Sequence, residues 1–216
     1  MSKNFKKRIY TSVFLILLLY FMFSNSYLMG FFLMILGILS IIEFFDIISI
    51  IFKKNKIKQF FFNIIFIIYI FSFCTYVLTL SSYLHLKILI FLILLTCVAS
   101  DIGGFVFGKI LKGPKLSKIS PNKTIAGAFG SLIFSTFFLL YLIYFFTKTI
   151  DFNIMIIGCV ISISCQVGDL FFSYLKRKSL LKDSGNLLPG HGGILDRVDG
   201  ILLGVPVGFL TFLMFY

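Results

Sequence analysis

The sequence predicts an all-α, polytopic integral membrane protein of about seven transmembrane helices with a polar site facing the cytoplasm. Three observations predict it. Hydrophobic residues make up 59% of the 216 residues and charged ones only 13%, with a mean hydropathy of +1.06. A soluble domain carries about 25% charged residues. Apolar runs recur at lengths near the roughly 20 residues that a helix needs to cross a bilayer. The segments between them alternate between lysine-rich and lysine-poor.

The runs are Ile9 to Phe23, Tyr27 to Phe52, Phe60 to Leu80, Leu86 to Phe107, Ile125 to Thr147, Phe152 to Leu175 and Ile201 to Tyr216. The first and last are short for a full span. The first follows Lys3, Lys6, Lys7 and Arg8 and precedes Ser24, Asn25 and Ser26, in the manner of a secretory signal. No Ala-x-Ala site follows it directly, so a retained helix is expected. The second to sixth runs each have the length of a complete span. Cys74, Cys97, Cys159 and Cys165 all fall inside apolar runs and read as small buried hydrophobes. The sequence has no internal repeat and no soluble domain.

Net charge is +12. In a soluble protein that would suggest nucleic acid; here it follows from topology, because basic residues accumulate in cytoplasmic loops. All basic residues except Lys87 and Lys148 fall on one side of the predicted membrane. The amino terminus and the lysine-rich loops are therefore expected in the cytoplasm. Every acidic residue except Asp151 maps to that same face: Glu43, Asp46, Asp101, Asp169, Asp183, Asp196 and Asp199. A channel or ion transporter, the alternative of a different class, would spread its polar groups through the bilayer midplane.

Residues 173 to 199 form a polar, glycine-rich block between two apolar runs. The composition suggests a genome biased toward A and T, in which lysine replaces arginine wherever lysine suffices. Two of the three arginines, Arg177 and Arg197, nevertheless sit in this block, where a guanidinium fork has a use that an ammonium lacks. Asp169, Ser173 and Lys176 share one helical face, and Asp196 and Asp199 share another at the start of the last helix. Carboxylates from two helix ends beside a glycine-rich turn suit a hard cation such as Mg2+. The bland reading is that Asp196 and Asp199 cap the helix and pair with Arg197. Pro189 to Gly193 cannot be regular helix, and its backbone N–H groups could turn toward an anion. An ordinary interhelical turn is the alternative there.

The pattern Ser-x-Leu-Lys-Arg-x4-Lys-Asp-x-Gly-x2-Leu-Pro-x-His-Gly-Gly-Ile-x-Asp-Arg-Val-Asp, from Ser173 to Asp199, resembles the signature of the phosphatidate cytidylyltransferase (CDP-diacylglycerol synthase) family. The resemblance extends to Gly168-Asp169-Leu170, to residues 100 to 109 and to residues 120 to 127, where Asn122 and Ala126 replace a usual lysine and glutamate. It divides the chain into residues 1 to 99, amino-terminal helices that match the family only in style, and residues 100 to 216, a catalytic region. It implies transfer of CMP from CTP to phosphatidate, giving CDP-diacylglycerol and pyrophosphate. It also implies Mg2+, with a second cation such as K+. Asp169 and Asp196 are the implied metal ligands, with Asp199 and Asp183 next. Catalysis would rest on Asp169, Asp196, Lys176 and Arg197. Ser173, Lys176, Lys182, His191, Gly192 and Gly193 would bind CTP, and Ser120, Lys123 and Thr124 the lipid phosphate. The implied partners are CTP, phosphatidate, membrane lipid and a second copy in a homodimer, without nucleic acid. The implied location is the bacterial inner (plasma) membrane with the site facing the cytoplasm. An isoprenoid or ether-linked lipid phosphate is the alternative acceptor. Asp101 could pair with Lys109 or Lys123, or bind a cation.

Overall fold

A computed structural model describes residues 17–117, 119–120, 123–185 and 192–216. Among them are six helices long and apolar enough to cross a membrane: α1 (Ser26–Ile51), α2 (Lys56–Ser81), α3 (Leu84–Leu111), α4 (Ile125–Thr147), α5 (Phe152–Lys178) and α6 (Leu195–Phe215). Residues 17–24 are also helical. The rest of the expected first span lies outside the described residues. The last span differs from expectation, starting at Leu195 instead of Ile201 and reaching 21 residues. Hydropathy alone ended it at the charged Asp196 to Asp199 stretch, which is helical here.

The helices start where side chains satisfy the free N–H groups of a first turn. The Asn25 side chain accepts from Tyr27 N and Leu28 N, Asn55 from Lys58 N, and Thr124 from Gly127 N. Left-handed residues end three of them: Lys112 and Gly113 after α3, Lys148 after α4, and Leu180 after α5. At Leu180 the chain closes a Schellman turn, with Leu180 N on Arg177 O at 3.0 Å and Leu181 N on Lys176 O at 2.8 Å.

The chain packs as two compact units. One comprises the described residues of Met1–Lys87 and Leu175–Val198. Within it Phe44 of α1 stacks on Phe66 of α2 at 3.8 Å, and Phe52 on Phe62 at 5.1 Å. Gly37 of α1 leaves room for Ile70 and Cys74. The other unit is Ile88–Tyr174 with Asp199–Tyr216. Its helices approach through small residues, as helices do in lipid, where apolar burial gives no drive of its own. A methyl group on Gly103 would lie 2.9 Å from Gly130 O, and one on Gly127 2.8 Å from Gly104 O, so α3 and α4 meet almost backbone to backbone. Gly158 fits against Thr136, and Gly208 against Ile161 and Ile93.

Candidate functional site

Helix α5 ends in Lys176, Arg177 and Lys178, basic residues suited to the carbonyl end of a helix. Lys178 lies over the Phe52 ring. Lys176 is 8% exposed, and its Nζ donates to Asp196 Oδ1 at 2.5 Å. The other oxygen, Asp196 Oδ2, accepts from Ser184 N at 2.9 Å and from Gly193 N at 3.0 Å. Asp196 stands in the first turn of α6, so it reaches back to cap that turn. Lys176 is its cation. Gly192 has φ +81, which strains any L side chain, and a methyl group there would lie 3.0 Å from Asp196 Oδ2 and 3.3 Å from Asp183 Cβ. Two of the expected metal ligands, Asp183 and Asp196, therefore flank one glycine.

A second carboxylate in this unit had no role in the sequence reading. Glu43 of α1 is 3% exposed. Its Oε1 accepts from Ile194 N at 2.9 Å, and its Oε2 from Leu195 N at 2.9 Å and Ser184 Oγ at 2.6 Å. An ionisable residue in a 26-residue apolar helix was the available signal. Its partners lie more than a hundred positions along the chain.

In the second unit the chain between α3 and α4 is pinned by Leu116 N on Lys123 O at 2.8 Å, Ile125 N on Pro114 O at 3.0 Å and Lys123 N on Ser120 O at 3.1 Å. These bonds present the Lys123 side chain, whose Nζ pairs with Asp169 Oδ2. Ser173 Oγ donates to Asp169 Oδ1 at 3.3 Å, as the shared helical face predicts. A residue expected at the lipid phosphate thus sits on one expected at the metal. Thr124 uses its hydroxyl to cap α4, and Ser120 accepts from Lys123 through its carbonyl. Asp199 is buried, with Oδ1 on Gly200 N at 2.9 Å. Asp101 is exposed in α3.

Lys182, Asp183 and Arg197 are exposed. His191, with Pro189 and Gly190, lies outside the described residues, as do Pro121 and Asn122. Among the described residues no three His, Cys, Asp or Glu side chains gather as a ready metal cluster. Taken one at a time, Asp169 and Asp196 each offer carboxylate oxygens, the donor type a hard divalent cation takes, and each faces a lysine ammonium.

On the opposite side by the sequence map, Tyr216 Oη donates to Asp151 Oδ2 at 2.5 Å. The Tyr216 hydroxyl and the neighbouring backbone hold the Asp151 carboxyl below its ordinary value. Partial burial and the Asp151 charge push the Tyr216 phenol up to about 12.

Phosphatidate cytidylyltransferases are among the similar proteins. One from Rickettsia bellii is 42% identical over 119 residues, covering 50% of this chain and 51% of its own length. One from Staphylococcus haemolyticus is 39% identical over 135 residues, covering 60% and 49%. One from Mycobacterium leprae is 39% identical over 121 residues, covering 56% and 39%. The chain spans about half the length of the curated relatives it matches. The model of the cytidylyltransferase family matches residues 2–215, nearly every position from the amino-terminal lysines to the end of α6, and this chain belongs to that family.

Proposed function

We propose that the chain is a membrane-embedded phosphatidate cytidylyltransferase that makes CDP-diacylglycerol and pyrophosphate from CTP and phosphatidate. The observation that carries the reading is the unbroken signature from Ser173 to Asp199, in which Asp196 is fixed by Lys176 and by two backbone N–H groups. Family membership and the names of the relatives support it.

An oxygen of the lipid phosphate attacks the α-phosphorus of CTP, a new P–O bond forms, the α–β bridge bond breaks and pyrophosphate leaves with its electron pair. A phosphate monoester is already ionised near neutral pH, so no general base is needed. Both reactants are anions, and positioning with charge neutralisation supplies the catalysis. Asp169 and Asp196 would hold Mg2+, with Asp183 and Asp199 in support, and the cation would supply charge neutralisation at the phosphates. Lys123 would serve the lipid phosphate and Lys176 a phosphate of CTP, joined by Lys182, Arg197 and His191. The asymmetry of basic residues supports a site facing the cytoplasm, and the bacterial relatives support a plasma-membrane setting. A homodimer is part of the same proposal.

The test is incorporation of labelled CTP into chloroform-soluble product by the purified protein with Mg2+, supplied in parallel with phosphatidate or an isoprenoid phosphate. Product with phosphatidate is expected. Product only with the isoprenoid phosphate, or none where a known enzyme works, overturns the reading.

A further inference from the structure

Glu43 is the sole glutamate of the chain, and it is buried in α1, outside the signature from Ser173 to Asp199. A carboxylate in such a helix is costly unless donors surround it. Here three do. Ile194 N and Leu195 N belong to the opening turn of α6, whose N–H groups have no partner within the helix. Ser184 Oγ supplies the third bond at 2.6 Å. Glu43 therefore caps α6 from another helix and ties it to the segment that follows α5.

The glycines beside it are shaped to this carboxylate. A methyl group on Gly185 would lie 2.6 Å from Glu43 Oε1, and one on Gly193 would overlap Glu43 Oε2 and Ser184 Oγ. Both glycines belong to the signature, and both are small because Glu43 occupies the space a side chain would take. Ser184 joins the two acids: its hydroxyl serves Glu43 and its N–H serves Asp196. Gly193, one residue before Ile194, gives its N–H to Asp196 as well. The backbone that orients Asp196 is thus the backbone that Glu43 holds.

We infer that Glu43 is a positioning residue for the Asp196 centre, fixing the backbone at Ser184 and at residues 193–195 so that Asp196 and Lys176 meet CTP and the cation in one geometry. This rests on the proposed function for the identity of the ligands; the hold on the backbone does not. Chemistry selects glutamate. Glutamine would turn an amide N–H2 toward at least one of the three donors, and aspartate is shorter by one methylene, about 1.5 Å of reach.

The test uses the full chain in detergent. Glu43→Gln is expected to raise KM for CTP by about 10- to 100-fold, the scale of losing an outer support of a ligand, with KM for phosphatidate changed less than about twofold. In the same variant, amide exchange of the peptide holding residues 192–196 is expected to be about tenfold faster, with α4 peptides unchanged. Ser184→Ala, which keeps both backbone bonds to Glu43, should move both readouts the same way by about threefold. Equal rises in both KM values would make Glu43 a general stability residue and overturn the inference. So would unchanged exchange in the two variants. If the wild type makes no cytidylylated lipid, the proposed function fails, while the exchange readout still judges the hold of Glu43.

Discussion

The Asp196 and Asp169 centres are built from the same parts, an aspartate and a lysine, yet they are finished differently. The side chains of Asp196 and Lys176 are 9% and 11% exposed, and backbone donors fix the second oxygen of the carboxylate. The side chains of Asp169 and Lys123 are 26% and 30% exposed, and among the described residues the second oxygen accepts a 3.3 Å bond from Ser173. A carboxylate locked by backbone keeps its direction when its lysine leaves, whereas one held by two side chains can turn. In the proposed reaction the first suits a fixed reference for nucleotide and cation. The second suits a lipid head group that arrives from a mobile membrane.

The largest expected effect breaks both centres alike and then separates them. Asp196→Asn and Asp169→Asn should each lower kcat by about 1000-fold. Only Asp196→Asn should also cost stability, about 3 kcal/mol, because Lys176 would be left buried without its counterion. Asp169→Asn should stay within about 1 kcal/mol of wild type, since its pair is wetter. Thermal unfolding in detergent reads the difference, and equal losses would remove the distinction. The lysines come next. Lys176→Ala should raise KM for CTP and Lys123→Ala should raise KM for phosphatidate, each by about 30-fold, the equivalent of about 2 kcal/mol for a charge-assisted bond. A crossed result would reassign the two anion sites.

The smallest effect belongs to a third carboxylate, the partly exposed Asp151. Its lowered pKa makes the Tyr216 bond stabilising above the ordinary aspartate range, with the contribution lost as pH falls through the folded value. Tyr216→Phe should lower the midpoint of unfolding at pH 7 by no more than about 2 °C, leave kcat within about twofold, and lose its effect as pH falls below the ordinary aspartate range. An effect that grew in acid would reverse the sign of the linkage.

The spans from Ser26 to Lys178 were legible because long apolar runs and polar loops report directly on lipid and water. The start of α6 was not. Its first turn is charged, and what allows a helix there is a cap from Glu43, 152 positions away. The signature from Ser173 to Asp199 was legible as a pattern, and the facing of Asp169 and Ser173 followed from helical spacing. The partner of Lys123 did not, because 46 residues separate it from Asp169 and several cations compete for each acid in sequence. Local periodicity fixes which residues share a helix; only packing decides which helices share a side chain.

Ser184 serves its two acids through different atoms, and the two links answer to different kinds of genetic change. The hydroxyl to Glu43 is written in the codon, and any residue without one erases it. The N–H to Asp196 is supplied by every amino acid except proline. Random substitution and alanine scanning would therefore sample the Glu43 link and pass over the Asp196 link. Comparison of sequences would likewise register only the side-chain half of this residue's work, so Ser184→Pro is the substitution that exposes the rest.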